Sequence, residues 1–95
     1  MKRIFVLDSF KRSVKKLPPR DKNTLAKALE TFNTFVFTGS SPTGFGFKKI
    51  NHNKYEFRVG LRLRIIVALE NDAYYLVLLG DHNEIRRYLR KFRNG

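Results

Sequence analysis

Polar and apolar residues alternate along YEFRV (55–59): Tyr55, Phe57 and Val59 fall on one face, Glu56 and Arg58 on the other. That period of two is the signature of a strand with one buried face. Gly60 marks a turn, and LRLRIIVAL (61–69) predicts a second strand with Arg62, Arg64 and Ile66 on one face. Asn71-Asp72 separates two β-rich runs, so AYYLVLL (73–79) should return antiparallel and end at Gly80. Asp81, His82 and Asn83 offer capping groups to a helix over about Asn83–Phe92. Its apolar stripe is Ile85, Tyr88, Leu89 and Phe92, with Arg86, Arg90 and Arg93 on the opposite side.

The upstream half reads as helix rather than strand after one short apolar run. KRIFVL (2–7) predicts a strand that is buried on both faces or pairs inside the sheet. Asp8 or Ser9 can then cap a helix carrying Phe10, Val14 and Leu17 on its apolar stripe and Lys11, Arg12, Lys15 and Lys16 on its polar side. Pro18-Pro19 stops it, and Pro19 fits the first turn of the next helix. That helix aligns Leu25, Ala28, Leu29, Phe32 and Phe35 or Val36, and should end near Gly39. The pair reads as a helical hairpin whose stripes need a sheet to cover. GSSPTGFG (39–46) is loop-like, FKKI (47–50) begins the sheet proper, and Asn51-His52-Asn53 is a turn. The expected order is β-α-α-β-β-β-β-α. It makes one α+β domain over 1–95, with a helical hairpin on a curled, mainly antiparallel sheet of four or five strands and a short C-terminal helix.

Composition narrows the function. A chain of 95 residues, 42% hydrophobic with nine Phe, can bury one modest core. Twenty Lys+Arg against eight Asp+Glu leave a net charge of +12, which favours a polyanionic partner. RNA, the ribosome, DNA, an acidic protein segment and an anionic membrane surface all qualify, and charge alone does not choose among them. The macrodipole explains part of the basic C-terminal helix. Without cysteine there is no disulfide framework or thiolate metal site, and a reducing cytoplasm is the natural compartment. No apolar run approaches the ~20 residues of a membrane span. Ile4–Leu7 is too short for a signal peptide, and Asp8 interrupts it.

No metal-ligand spacing, P-loop, dinucleotide fingerprint or nucleophilic triad stands out. The side chains suit metal-free RNA cleavage. A base deprotonates the 2′-hydroxyl, cations stabilise the phosphorane, and an acid protonates the leaving 5′-oxygen. Arg64 draws attention because an arginine within an apolar strand is unusual unless it is paired or lines a cleft. His82 stands at a strand-to-helix junction, where it either caps and packs or does chemistry. Tyr88 lies on an apolar stripe and reads first as core. Arg58 and Arg62 read equally well as solvated charge or as phosphate contacts, Lys48-Lys49 reads first as a solvated pair and second as a phosphate contact, and His52 reads as a turn residue.

A resemblance sharpens these choices. The run Y-x-x-R-V, a short turn, L-R-I-I, a turn, a hydrophobic strand and G-D-H-x-x-x-x-x-Y resembles the RelE/ParE toxin superfamily. These are small basic bacterial proteins paired with an antitoxin; many cut mRNA on the ribosome and others poison DNA gyrase. The resemblance covers most of the chain. It implies that Arg64 contacts the scissile phosphate, that His82 works at the reacting phosphate, and that Tyr88 is the tyrosine of the C-terminal segment. Lys49, Arg58, Arg62 and Arg86 become candidate substrate-binding residues. Glu56 stands where some relatives carry a lysine, which leaves the general base open; His52 is one candidate. Asp81 either orients His82 or caps the helix. The implied function is a type II toxin: a metal-independent endoribonuclease with no cofactor, cutting mRNA on the ribosome and held by a cognate antitoxin. A ParE-like gyrase inhibitor and an inactive nucleic-acid- or antitoxin-binding relative remain as alternatives.

Overall fold

The computed structural model describes residues 2–91, so the expectations placed on Phe92 and Arg93 lie outside the described residues. Within them the chain runs β1 (Arg3–Val6), α1 (Asp8–Lys15), α2 (Pro19–Thr38), β2 (Lys48–Asn51), β3 (Lys54–Val59), β4 (Leu63–Glu70), β5 (Ala73–Asp81) and α3 (His82–Lys91). The five strands form one sheet in the order β1-β5-β4-β3-β2. β1 runs parallel to β5 and the other pairs are antiparallel. This is the α+β architecture expected from the sequence. No helix among the described residues is long and apolar enough to cross a membrane.

Local chemistry accounts for the joints. Asn71 and Asp72 have φ of 49° and 64°. Two successive left-handed residues are what a type I′ hairpin turn requires, and Glu70 accordingly pairs with Ala73. Pro19 opens α2, and Gly39, at φ 77°, closes it with its N–H on the Phe35 carbonyl at 2.7 Å. The helical hairpin covers one face of the sheet. Phe10, Leu25 and Phe32 pack with Phe57, Val59, Ile65, Val67, Tyr74, Leu76 and Leu79 in one buried cluster. Phe32 sits at its centre, stacked on Phe57 at 4.8 Å and edge-on to Tyr74 at 5.4 Å. The stretch 39–46 is more than a loop, because its Phe45 is buried 4.9 Å from Phe57.

Four expectations are corrected. Among the described residues β1 is an edge strand, paired only with β5, and Phe5, Val6 and Leu7 stay 41%, 45% and 38% exposed. An apolar run has the same pattern whether one neighbour or two flank it. β5 does not end at Gly80, because Gly80 still pairs with Arg64 and Asp81 with Leu63. Neither Asp8 nor Ser9 caps α1; its N-cap is Leu7, without a side-chain bond. Arg62 lies ahead of β4, in the turn after β3, and its guanidinium reaches Asp21 of α2 at 3.4 Å.

The serines of α1 have another task. β1 ends opposite Leu76, so the next stretch of β5 lacks a strand on that side. A register shift against β4 also leaves Val77 as an extra residue between Leu76 and Leu78. Ser9 Oγ donates to the Val77 carbonyl at 2.6 Å, and Ser13 Oγ accepts from the Leu79 N–H at 3.1 Å. α1 thus satisfies backbone groups that would otherwise be left without a ladder partner.

Candidate functional site

Strand alternation sends every second side chain to the sheet face opposite the helical hairpin. On that face stand Lys48 and Ile50 of β2, Lys54, Glu56 and Arg58 of β3, and Arg64, Ile66 and Ala68 of β4. α3 covers only part of it. Its Ile85 is buried with Ile66 and Val77, while Tyr88 and Leu89 pack against this cluster along with Ile50, Ala68 and Leu78. The charged residues remain beside the helix.

Glu56 is the centre of that charged set. It is buried, and its Oε2 accepts from Arg64 Nη1 at 2.8 Å and lies 4.0 Å from Lys48 Nζ. Arg58 is the direct cross-strand partner of Arg64. Two like charges so placed repel, and Glu56, diagonal to Arg64 across the same strand pair, offsets this. On its other side Arg64 faces Gly80 of β5.

Gly80 also admits α3. A Cβ there would stand 2.9 Å from the Glu84 Cβ. Glu84 in turn closes a reciprocal lock with Asp81: the Asp81 N–H donates to Glu84 Oε1 at 2.9 Å, and the Glu84 N–H donates to Asp81 Oδ1 at 2.9 Å. This is a capping box, so Asp81 caps the helix. His82, the first residue of α3, is exposed. It lies two residues past the cross-strand partner of Arg64, and four-residue spacing puts it on the helix flank that carries Arg86 and Arg90.

The sequence-predicted residues therefore divide. Arg64 and Arg58 are cross-strand partners on the open face, and His82 follows two residues after Gly80, the β5 partner of Arg64; the Arg58 side chain runs past Gly46 of the 39–46 stretch. Tyr88 is on the same face but half-buried in the apolar cluster under α3, where burial holds its phenol pKa above the ordinary value of 10. Arg86 lines a groove of about 580 Å³ between β2 and α3, with Ile50, Asn51, Leu89 and Arg90. Lys49 pairs with Tyr55 and so takes the opposite side of β2 from Lys48. Arg62 is bound to α2 and is not brought to the face. His52 stands exposed in the β2–β3 turn, beyond Lys54; the four residue steps from Lys54 to Arg58 alone span roughly 13 Å. Sequence reasoning undervalued Lys48, read with Lys49 as mostly a solvated pair, and Glu56. Counting by twos from Ile50 and from Arg58 would have found both. Among the described residues no group of three or more His, Cys, Asp or Glu could hold a metal ion.

No family model and no curated protein sequence matches the chain. Solved structures do. The RelB–RelE antitoxin–toxin complex of Methanococcus jannaschii contains a chain that is 20% identical, with a TM-score of 0.66 over 88% of this chain and 96% of that one. The Escherichia coli DinJ–YafQ complex matches at 13% identity and a TM-score of 0.68, over 90% of this chain and 98% of that one. The archaeal RelE–RelB complex of Pyrococcus horikoshii matches at 15% identity and a TM-score of 0.63, over 84% and 93%. With its helical hairpin on one face of the five-stranded sheet and its arginine-bearing face under α3, the chain has the fold of the RelE- and YafQ-type toxins.

Proposed function

We propose that this chain is the toxin of a type II toxin–antitoxin pair and that it cleaves mRNA on the ribosome by 2′-hydroxyl attack. The observation that carries this reading is the Arg64–Glu56 pair on an open, cationic sheet face, with Arg64 paired across the sheet to Gly80, two residues before His82. Arg64, with Lys48 and Arg58, supplies positive charge where a phosphodiester gains charge at the phosphorane. His82 is the proton donor to the leaving 5′-oxygen. Glu56 is the base in this reading. Arg64 and Lys48 both meet its Oε2, which leaves Oε1 to accept the 2′-hydroxyl proton once RNA draws the two cations toward phosphate. Tyr88 helps pack α3 onto the sheet and keeps its proton. The partner is an antitoxin whose acidic or amphipathic segment covers Arg64 and His82, neutralising the field and closing the site together; complexes of this kind are the ones this fold resembles.

The test is induction of the wild type, His82→Ala and Glu56→Gln at equal protein level, with mRNA ends mapped. Glutamine keeps an acceptor for Arg64 but cannot take a proton, so cleavage should fall by about 10²–10⁴-fold while RNA binding is held. Growth arrest without new mRNA ends would overturn the nuclease reading and direct attention to gyrase. No arrest and no cuts would leave a binding relative.

A further inference from the structure

We infer that the groove between β2 and α3 is a subsite for a nucleotide flanking the cleavage point, and that Asn51 reads its base. The inference rests on the RNA reading above but uses different residues. Arg86 and Arg90 stand one helical turn apart on α3, and both line the groove. Like charges at this spacing destabilise a helix. No carboxylate pairs with either among the described residues. A row of unneutralised guanidinium groups over a concave surface is an anion site, and one turn of helix suits successive phosphates of a single strand.

The floor is of another kind. Ile50 and Leu89 are apolar and partly buried in the cluster beneath α3. They offer a flat surface to a base, with an arginine plane able to stack above it. Asn51, at the end of β2, has an amide with both donor and acceptor, and neither is engaged by protein among the described residues. An amide at the wall of an apolar slot, free to make a paired contact, is what base-edge reading needs. The groove and the proposed centre share β2: Lys48, 4.0 Å from Glu56, is two residues before Ile50.

Short 2′-O-methyl oligonucleotides of A, C or U, in which the attacking hydroxyl is blocked, are the probes. Binding is read by fluorescence anisotropy over a range of salt. Arg86→Ala and Arg90→Ala should each weaken all three by about tenfold and lower the salt slope by about 1. Asn51→Ala should shrink the spread among the three by about fivefold or more and leave the salt slope alone. Lys11→Ala and Lys15→Ala, on the exposed side of α1, serve as charge controls, and circular dichroism checks the fold of every variant. The subsite is overturned if the wild type shows no spread, if Asn51→Ala preserves it, or if the α3 variants lose no more than the α1 controls. Cuts by wild type with any of those results would sink the subsite and leave the nuclease reading. Groove effects as expected with no cuts would do the reverse.

Discussion

Replacing Gly80 by alanine tests whether the close approach of α3 to β5 fixes the start of the helix. Gly80 needs no left-handed backbone, so the added methyl acts by space alone. It would lie 2.9 Å from Glu84 Cβ and 3.2 Å from Glu84 Oε1. Carbon atoms prefer about 3.5–4.0 Å, so the first turn of α3 must retreat by roughly 0.6–1 Å. That retreat stretches both 2.9 Å bonds of the Asp81–Glu84 lock. A lost cap costs about 1 kcal/mol and a strained insertion about 1–3 kcal/mol. Alanine's advantage over glycine inside a strand returns about 0.5–1 kcal/mol. The expected net loss is about 1.5–3 kcal/mol, which lowers the urea midpoint by about 1–2 M at a slope near 1.5 kcal/mol/M. Gly39→Ala is the contrast: at φ 77° with nothing within 4 Å, it should cost about 1–2 kcal/mol through the backbone alone. Because His82 rides on the displaced turn, cleavage in Gly80→Ala should fall further than RNA binding. A Gly80→Ala midpoint within the error of wild type, with an unchanged slope, would refute the reasoning.

Other changes probe the parts separately. Phe32→Ala removes a fully buried ring stacked on Phe57, so it should cost about 3–5 kcal/mol in urea unfolding and leave a molecule marginal at 37 °C. Ser13→Ala leaves the Leu79 N–H without its acceptor and should cost about 1–3 kcal/mol, whereas the exposed Thr31→Ala should be near neutral. Burial raises the phenol pKa values of Tyr88 and Tyr74 above 10, with Tyr55 adding to the shift at Tyr74. The unfolded chain therefore loses these protons first, the folded state holds more of them above pH 10, and stability falls as pH rises through that range. Tyr88→Phe should flatten part of this fall between pH 9 and 11 in urea midpoints, and an unchanged slope would mean the phenol is not shielded.

Much of the architecture could be read from spacing because local chemistry and tertiary packing agreed. The Asn71-Asp72 turn, the stripe of α2 and its stop at Gly39 each follow from one physical requirement stated in the chain itself. The failures share a cause. KRIFV looks alike at an edge and in the middle of a sheet, since its pattern carries no information about its neighbours. Ser9 looks like a cap because capping is the local use of a serine, while its actual partner, Val77, is 68 residues away. Arg62 and Arg64 appear equivalent in LRLR, but the turn takes one of them to Asp21 on the helical side. At the proposed site, the apolar strand around it and the resemblance singled out Arg64, and only the three-dimensional pairing shows what makes it tolerable there.

That pairing changes the meaning of Glu56. Against the lysine that the sequence resemblance implies at this position, the glutamate looks like a missing cation. On the sheet it is the one acid among Lys48, Arg58 and Arg64, buried at 6% exposure with a 2.8 Å bond to the arginine. The three cations could not be gathered on adjacent strands at low cost without it. Glu56→Lys would therefore not restore a lysine-based site. It would remove the counter-charge and bury a fourth cation against the other three. Breaking a buried pair costs about 3–5 kcal/mol, and the 26% exposure of the Arg64 side chain reduces this to about 2–4 kcal/mol. Glu56→Gln should lose far less stability, because an acceptor for Arg64 remains, yet lose the proton transfer. The two variants thus separate the roles of one carboxylate: lysine should fail in urea unfolding, glutamine in cleavage. If lysine proved as stable as wild type, Arg64 would not depend on Glu56, and the pair would lose its place at the centre of the site.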